Sequence, residues 1–322
     1  MRWVRAPAKI NLTLRVIGRR ADGYHELESL VAFAGLCDWV AFEPGPDPAL
    51  EVLGPRASEA GPVEDNLVLR AASALAALIP GLRLGRFRLV KRLPAAAGLG
   101  GGSADAAAAL RLLAGEARLS LDDPRVRAAA RATGADVLAC LEPQARMMTG
   151  VGDQLGPPIE LPKMFALLVN PRVAAPTAKV FAALGLAPGA QLETSARSFD
   201  PLKHGAAGLL DALSSSLNDL EAAAIRVAPA IAVVRERLSR LPRTAATGMS
   251  GSGATCFALF TDRRSAASAR RAFKVNREPL PSHSRAFGNP RTWTPASAGV
   301  TRDWRAINPF AFPSVFGPEA TE

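Results

Sequence analysis

Four glycines and a serine in Pro94-Ala95-Ala96-Ala97-Gly98-Leu99-Gly100-Gly101-Gly102-Ser103 are of the right kind to hold an anion. Glycine lets the backbone turn sharply and lets a charged group come close to the N–H groups. The run follows Phe87-Arg88-Leu89-Val90-Lys91, whose alternation predicts a strand, and precedes Ala106–Leu113, whose Ala and Leu content predicts a helix. A strand feeding a helix N-terminus through glycines makes a phosphate cradle, because the first helical N–H groups are unpaired and carry the positive end of the dipole. Ser103 is read as the cap of that helix and as a hydroxyl for a phosphate. The string is neither a GxxxxGK[ST] loop nor a GxGxxG loop, and no HRD or DFG string occurs. Taken alone, the stretch is equally a glycine-rich turn with no ligand.

Other stretches carry reactive side chains. Alternation across residues 3–17 predicts a strand that puts Lys9 and Asn11 on the face opposite Ile10 and Leu12; a solvated edge lysine would give the same pattern. Asp22-Gly23 signals a turn, leaving Tyr24 and His25 just beyond it. In Thr133-Gly134-Ala135-Asp136-Val137 a carboxylate sits beside apolar Val137, Leu138 and Ala139, either half-buried or as a helix cap. Thr247-Gly248-Met249-Ser250-Gly251-Ser252-Gly253-Ala254-Thr255 is a second Gly/Ser loop ahead of a strand at Cys256–Phe260.

The elements that must position these groups follow from periodicity. Leu27–Phe42 reads as strands around Gly35, and 44–62, rich in Pro, Gly and Ala, as an exposed loop. Glu64-Asp65-Asn66-Leu67 opens a helix to Leu78 with Asp65 or Asn66 at the cap, and Asp122-Asp123-Pro124 opens another that ends near Gly134. Met147–Val151 and Met164–Val169 read as strands of a second lobe. A helix starts at Pro176-Thr177, a helical stretch interrupted by Pro229 runs from Leu217 to Leu241, and a last helix spans Arg263–Phe273. From Lys274 on, prolines are spread through a segment with little periodicity, which reads as a disordered or poorly packed tail over 274–322.

Composition bounds the rest. A chain of 322 residues, 48% hydrophobic, supports a full core in one large or two medium domains. No apolar run is long enough to span a membrane, and the first residues lack the apolar core of a signal peptide. Cys37, Cys140 and Cys256 stand far apart in no metal or disulfide pattern, which fits buried thiols in a reducing cytoplasm. The net charge of +10 comes from Arg scattered among Ala and Leu, without dense basic runs or interleaved aromatics. It fits attraction of an anionic small substrate at least as well as nucleic-acid binding.

These strings resemble the GHMP kinase family. Residues 94–105 are similar to its PxxxGLGSSAA phosphate loop, and the loop at 247–255 to its third motif, here Gly248, Ser250, Gly251, Ser252 and Gly253. PAKINL at 7–12, RADGYH at 20–25 and GADV at 134–137 are similar to the branch acting on 4-diphosphocytidyl-2-C-methyl-D-erythritol, with Leu138 where that branch has proline. The resemblance covers roughly residues 5–273. It implies an α/β (α+β) fold of two lobes: an N-terminal lobe of the ribosomal-protein-S5-like kind over 1–150 and a ferredoxin-like C-terminal lobe over 151–273. It implies ATP held by residues 94–103 with Asn66 near the adenine, and magnesium arriving with the ATP rather than in a protein cage. It implies Asp136 as base and Lys9 as its electrostatic partner. Tyr24 would stack on a cytosine, His25 and the backbone of Lys9–Asn11 would read its edge, Phe181 would close its other side, and Thr177 would lie near the substrate. It implies a cytoplasmic enzyme of small-molecule partners, monomer or homodimer, meeting neither nucleic acid nor membrane. The alternatives are a homoserine- or mevalonate-type kinase of the same superfamily and a basic nucleic-acid-binding protein.

Overall fold

The opening alternation becomes two strands rather than one: β1 (Arg2–Asn11) and β2 (Arg15–Arg19), both antiparallel to the long strand β3 (His25–Glu43). The break between them lets Thr13 Oγ1 accept the Leu30 N–H at 2.9 Å. The computed structural model describes residues 2–192, 208–210, 213, 218–275 and 306–311.

β3 is the spine of a seven-stranded sheet. It pairs with β1, β2, β5 (Arg86–Val90) and β6 (Arg146–Gly150); β4 (Ala49–Leu53) lies outside β5 and β7 (Gln154–Pro158) outside β6. Two expectations change here. The segment 44–62 contains β4 and a short 3-10 turn at Ala57–Glu59: Leu50 and Val52 alternate onto the core, a pattern hidden by the flanking Pro and Gly. Met147–Val151 is not a strand of a second lobe, since Met147 and Met148 pair with Leu30 and Ser29 on β3; this sheet continues through Pro158, past the boundary at 150.

Helices α1 (Leu67–Ala76), α2 (Gly101–Glu116), α3 (Pro124–Thr133) and α4 (Ala135–Leu141) cover this sheet. α1 is capped by Asn66, whose side chain accepts the Val68 N–H, and α3 by Asp123 with Pro124 in its first turn. Past its first turn α2 is buried at every residue from Ala104 to Leu110, and alanine's small size lets the neighbouring helices come close.

The second sheet has the order β11-β8-β10-β9, from β8 (Phe165–Val169), β9 (Ala246–Met249), β10 (Cys256–Phe260) and β11 (Ala306–Ala311). Around it stand α5 (Thr177–Ala182), α6 (Glu221–Val227), α7 (Ala230–Ser239) and α8 (Arg263–Val275). Pro229 separates α6 from α7, as its missing N–H requires; Leu217, the expected start of that stretch, lies outside the described residues. So does the tail, apart from Lys274 and Val275, which end α8, and β11, whose pairing with β8 replaces the expectation of no strand there.

One apolar cluster lies under each sheet, and a third joins them. In it Ala8, Ile10, Leu12, Leu30, Leu93 and Leu99 pack with Met164, Ala166, Leu168, Phe257 and Leu259. Leu14 and Val16 continue from β1 into the cluster of the second sheet.

Candidate active site

The glycine run turns the chain from β5 into α2 by left-handed backbone at Gly98 (φ 72°) and Gly100 (φ 60°). Gly98 can be nothing else: a Cβ there would lie 2.3 Å from the Ser250 carbonyl oxygen and 2.7 Å from that of Gly253. α2 begins at Gly101, with Gly100 as its N-cap and no side-chain cap. Ser103 is therefore the third helical residue and not the cap. The first two helical positions are crowded: a Cβ on Gly101 would lie 3.3 Å from Lys91 Nζ and one on Gly102 would lie 3.3 Å from Leu67 Cδ1.

The second Gly/Ser loop clamps the first. Ser250, fully buried, donates to the Gly98 carbonyl at 2.7 Å and accepts the Asn11 N–H at 3.1 Å, and the Thr255 N–H donates to the Ala97 carbonyl at 3.2 Å. The Lys9 N–H donates to the Leu99 carbonyl at 2.9 Å. The backbone N–H groups of Lys9 and Asn11 are thus consumed within the protein, which removes them as donors to a base edge. Asn11 Nδ2 is likewise spent on Ser29 at 2.7 Å.

Lys9 is almost fully buried, and its Nζ donates to Asp136 Oδ1 at 2.9 Å and to Asn11 Oδ1 at 3.3 Å. Asp136 is the second residue of α4 and keeps about a third of its side chain exposed (37 %). Gly134 is the N-cap, with no side-chain cap bond, so the helix-cap reading of Asp136 does not hold. Leu138 turns the other way, into the core of the first sheet.

These groups face one cleft of about 1150 Å³ between the two sheets. Of the expected residues, Lys9, Asn11, Tyr24, His25, Ala96, Ala97, Gly98, Gly100, Gly101, Gly102, Ser103, Asp136, Thr177, Phe181, Gly251 and Ser252 line it. Pro94, Ala95, Leu99, Asn66, Gly248, Ser250 and Gly253 do not. Leu99 is in the joining core, Ser250 is the clamp, and the Asn66 side-chain oxygen is spent on the cap of α1, whose Leu67 reaches the cleft instead.

At the far end, His25 and Phe181 rest ring on ring, centroids 4.6 Å apart and planes 34° apart, with Tyr24 beside them and 66% exposed. His25 Nε2 is buried without a hydrogen-bond partner. Burial, and secondarily the Arg19 charge, hold the imidazole below its usual range, so a neutral ring offers one donor and one acceptor. Sequence reasoning missed Arg19, which lines the cleft while donating to the Gly23 and Leu186 carbonyls; its place in RRADGYH was the only signal. It also missed the hydroxyl pair Thr177–Ser252, 2.9 Å apart on the cleft wall. Cys140 and Cys256 are buried, their thiols pushed up to about 12, chiefly by desolvation.

Comparison with known proteins decides the family. The GHMP kinases N terminal domain matches residues 66–143, and the model described as GHMP kinases C terminal matches residues 199–276. A 4-diphosphocytidyl-2-C-methyl-D-erythritol kinase of Xanthobacter autotrophicus is 60% identical over 270 residues, 83% of this chain and 92% of the relative. The chain belongs to the 4-diphosphocytidyl-2-C-methyl-D-erythritol kinase family. A relative of the same name from Methylobacterium radiotolerans is 55% identical over 276 residues, 84% of this kinase and 93% of the relative. The crystal structure of a 4-(cytidine 5'-diphospho)-2C-methyl-D-erythritol kinase superposes with a TM-score of 0.65 at 35% identity, covering 85% of this chain and 96% of the other. No helix among the described residues is long and apolar enough to cross a membrane.

Proposed function

We propose that this kinase transfers the γ-phosphoryl of ATP to the 2-hydroxyl of 4-diphosphocytidyl-2-C-methyl-D-erythritol, a step toward isoprenoid precursors. The observation that carries the reading is the Lys9–Asp136 pair, 2.9 Å apart beside a glycine cradle that opens on the same cleft. Gly98 to Ser103 hold the ATP phosphates on unpaired helical N–H groups. Asp136, with one oxygen on Lys9, accepts the hydroxyl proton as the substrate oxygen bonds to phosphorus and the bond to ADP breaks. Lys9 neutralises the equatorial phosphoryl oxygens and the carboxylate together. Magnesium arrives as the ATP complex, held by phosphates and water. Phosphoryl transfer asks for positioning and charge neutralisation more than for covalent chemistry, and these residues supply both.

The far end of the cleft supports a base-bearing substrate. Tyr24 offers an exposed aromatic face, and the unpartnered Nε2 of His25 meets a polar edge that Phe181 helps to fix. Homoserine and mevalonate have no base to use these groups. A coupled assay of ADP release with the cytidine-diphosphate substrate, homoserine and mevalonate in parallel tests the assignment. Turnover with the first alone is expected; equal or greater turnover with either of the others would overturn it.

A further inference from the structure

Beneath the phosphate loop lies a second lysine, with two carboxylates that the proposed reaction leaves unused. Lys91, at the exit of β5, donates to Asp38 Oδ2 on β3 at 2.6 Å and to Asp105 Oδ2 on α2 at 2.7 Å. All three side chains are buried and none lines the cleft. Asp38 is fully matched, because its other oxygen accepts the Arg92 and Leu93 N–H groups. Asp105 is not: its Oδ1 is buried with no hydrogen-bond partner. An unpaired anionic oxygen in that setting is costly, and a proton on the carboxyl removes the charge, the larger part of that cost.

The position of the cluster gives it a task. A Cβ on Gly101, the first residue of α2, would lie only 3.3 Å from Lys91 Nζ, so the ammonium sits directly under the start of the cradle. Lys91 stands just before the loop and Asp105 just after it, and both are tied to the spine strand through Asp38. We propose that Lys91, Asp38 and Asp105 form a positioning device that pins both ends of the phosphate loop from beneath, so that the cluster sets the affinity for ATP rather than the rate of transfer. This rests on the ATP reading of the loop.

The sign of the effect follows from the charges. Burial pushes the Asp105 carboxyl up to about 8, against the pull of Lys91 and with the push of Asp38. Near neutrality the acid form of Asp105 leaves Lys91 and Asp38 to cancel. Above that range the cluster gains one negative charge below a site meant for phosphates. α4 brings the Cys140 thiol, which burial pushes up to about 12; α2 itself carries Arg111, whose guanidinium burial pushes down to about 10 and which stays a cation near neutrality; and α3, packed on α2, carries Arg125, Arg127 and Arg131. β1 brings Lys9 against Gly100, while α1 meets α2 with apolar Val68, Ala71, Ala72 and Leu75.

The test is calorimetric binding of a non-hydrolysable ATP analogue with magnesium, from about pH 7 to about pH 9, with KM and kcat measured alongside. Wild-type affinity is expected to weaken about three- to tenfold over that range while kcat holds, the size of one added charge at partly screened distance. Asp105→Asn keeps an acceptor for Lys91 and cannot ionise, so its affinity is expected to stay at the neutral-pH value throughout. Lys91→Met strands a buried carboxylate and is expected to lose stability, so the asparagine variant decides. The same pH slope in both proteins, or a loss in kcat with KM unchanged, would overturn the proposal. Absence of analogue binding at every pH would overturn the nucleotide reading itself, and the proposal with it.

Discussion

On one wall of the cleft, β1, the Gly98 loop and the second Gly/Ser loop are held by bonds to the main chain: Lys9 to Leu99 and Thr255 to Ala97 backbone to backbone, and the Ser250 hydroxyl to both Gly98 and Asn11. On the other, Tyr24, His25 and Phe181 meet the cleft as side chains, with an exposed tyrosine and an unsatisfied imidazole nitrogen. The first wall is finished by bonds within the protein; the second leaves an exposed ring and an imidazole nitrogen with no hydrogen-bond partner. The difference matches what each proposed substrate offers. A triphosphate is recognised by many weak donors in fixed places, whereas a base is recognised by a stacking face and a few edge contacts.

The largest expected effect lies where the walls meet. Asp136→Asn removes the proposed base and should cost about 10²–10⁴-fold in kcat. Lys9→Ala should cost a similar order, and the double variant less than the product, because each group acts on the charge of the other. Both should still bind ATP; an Asp136→Asn enzyme with full activity would return Asp136 to a structural role. Next comes Gly98→Ala. With φ at 72° and two carbonyl oxygens inside 3 Å of the new Cβ, it should cost about 1–3 kcal/mol or more in stability, read by denaturant melts, and abolish ATP binding with it. A soluble, fully stable Gly98→Ala protein would mean that the first wall is less rigid than its bonds suggest.

The second wall should respond differently. Tyr24→Ala removes a largely exposed ring, so stability should hold while the KM for the cytidyl substrate rises about tenfold and that for ATP does not move. Equal loss for both substrates would break the division between the walls. The smallest effect is one of pH. Because His25 titrates below its ordinary value, the neutral ring persists on the acid side of 6.5, and the cytidyl KM should stay flat down through that value before rising. A rise already centred at or above 6.5 would show that the ring is not shielded as its burial indicates.

The course of the first wall was largely legible in the sequence, since an alternating run, a glycine run and an Ala-rich run predict strand, turn and helix in that order. What was not legible there was the start of the helix: Gly101 and Gly102 are poor helix formers, and the neighbours Lys91, Leu93 and Leu67 that leave little room for a side chain there come from outside the helix. The stacking of His25 on Phe181 joins residues far apart in the chain, and no local pattern announces it. Asp38, Lys91 and Asp105 stand apart in the sequence and nothing there groups them; their shared burial exists only once β3, the exit of β5 and α2 are packed together. β4 was lost to its Pro- and Gly-rich surroundings, and the strand at 146–150 was assigned to the wrong sheet, since periodicity says that a strand exists but not with which strand it pairs.

The joining cluster has a consequence for how the molecule comes apart. Ile10, Leu12 and Leu30 on one side and Leu168, Phe257 and Leu259 on the other share one interior, and Leu14, between β1 and β2, and Val16 of β2 reach the interior of the second sheet. Neither half can melt and leave the other with a complete interior. Heat should therefore take the described body apart in a single cooperative step, with calorimetric and van't Hoff enthalpies in agreement, and the cleft between the sheets should vanish in that same step rather than ahead of it.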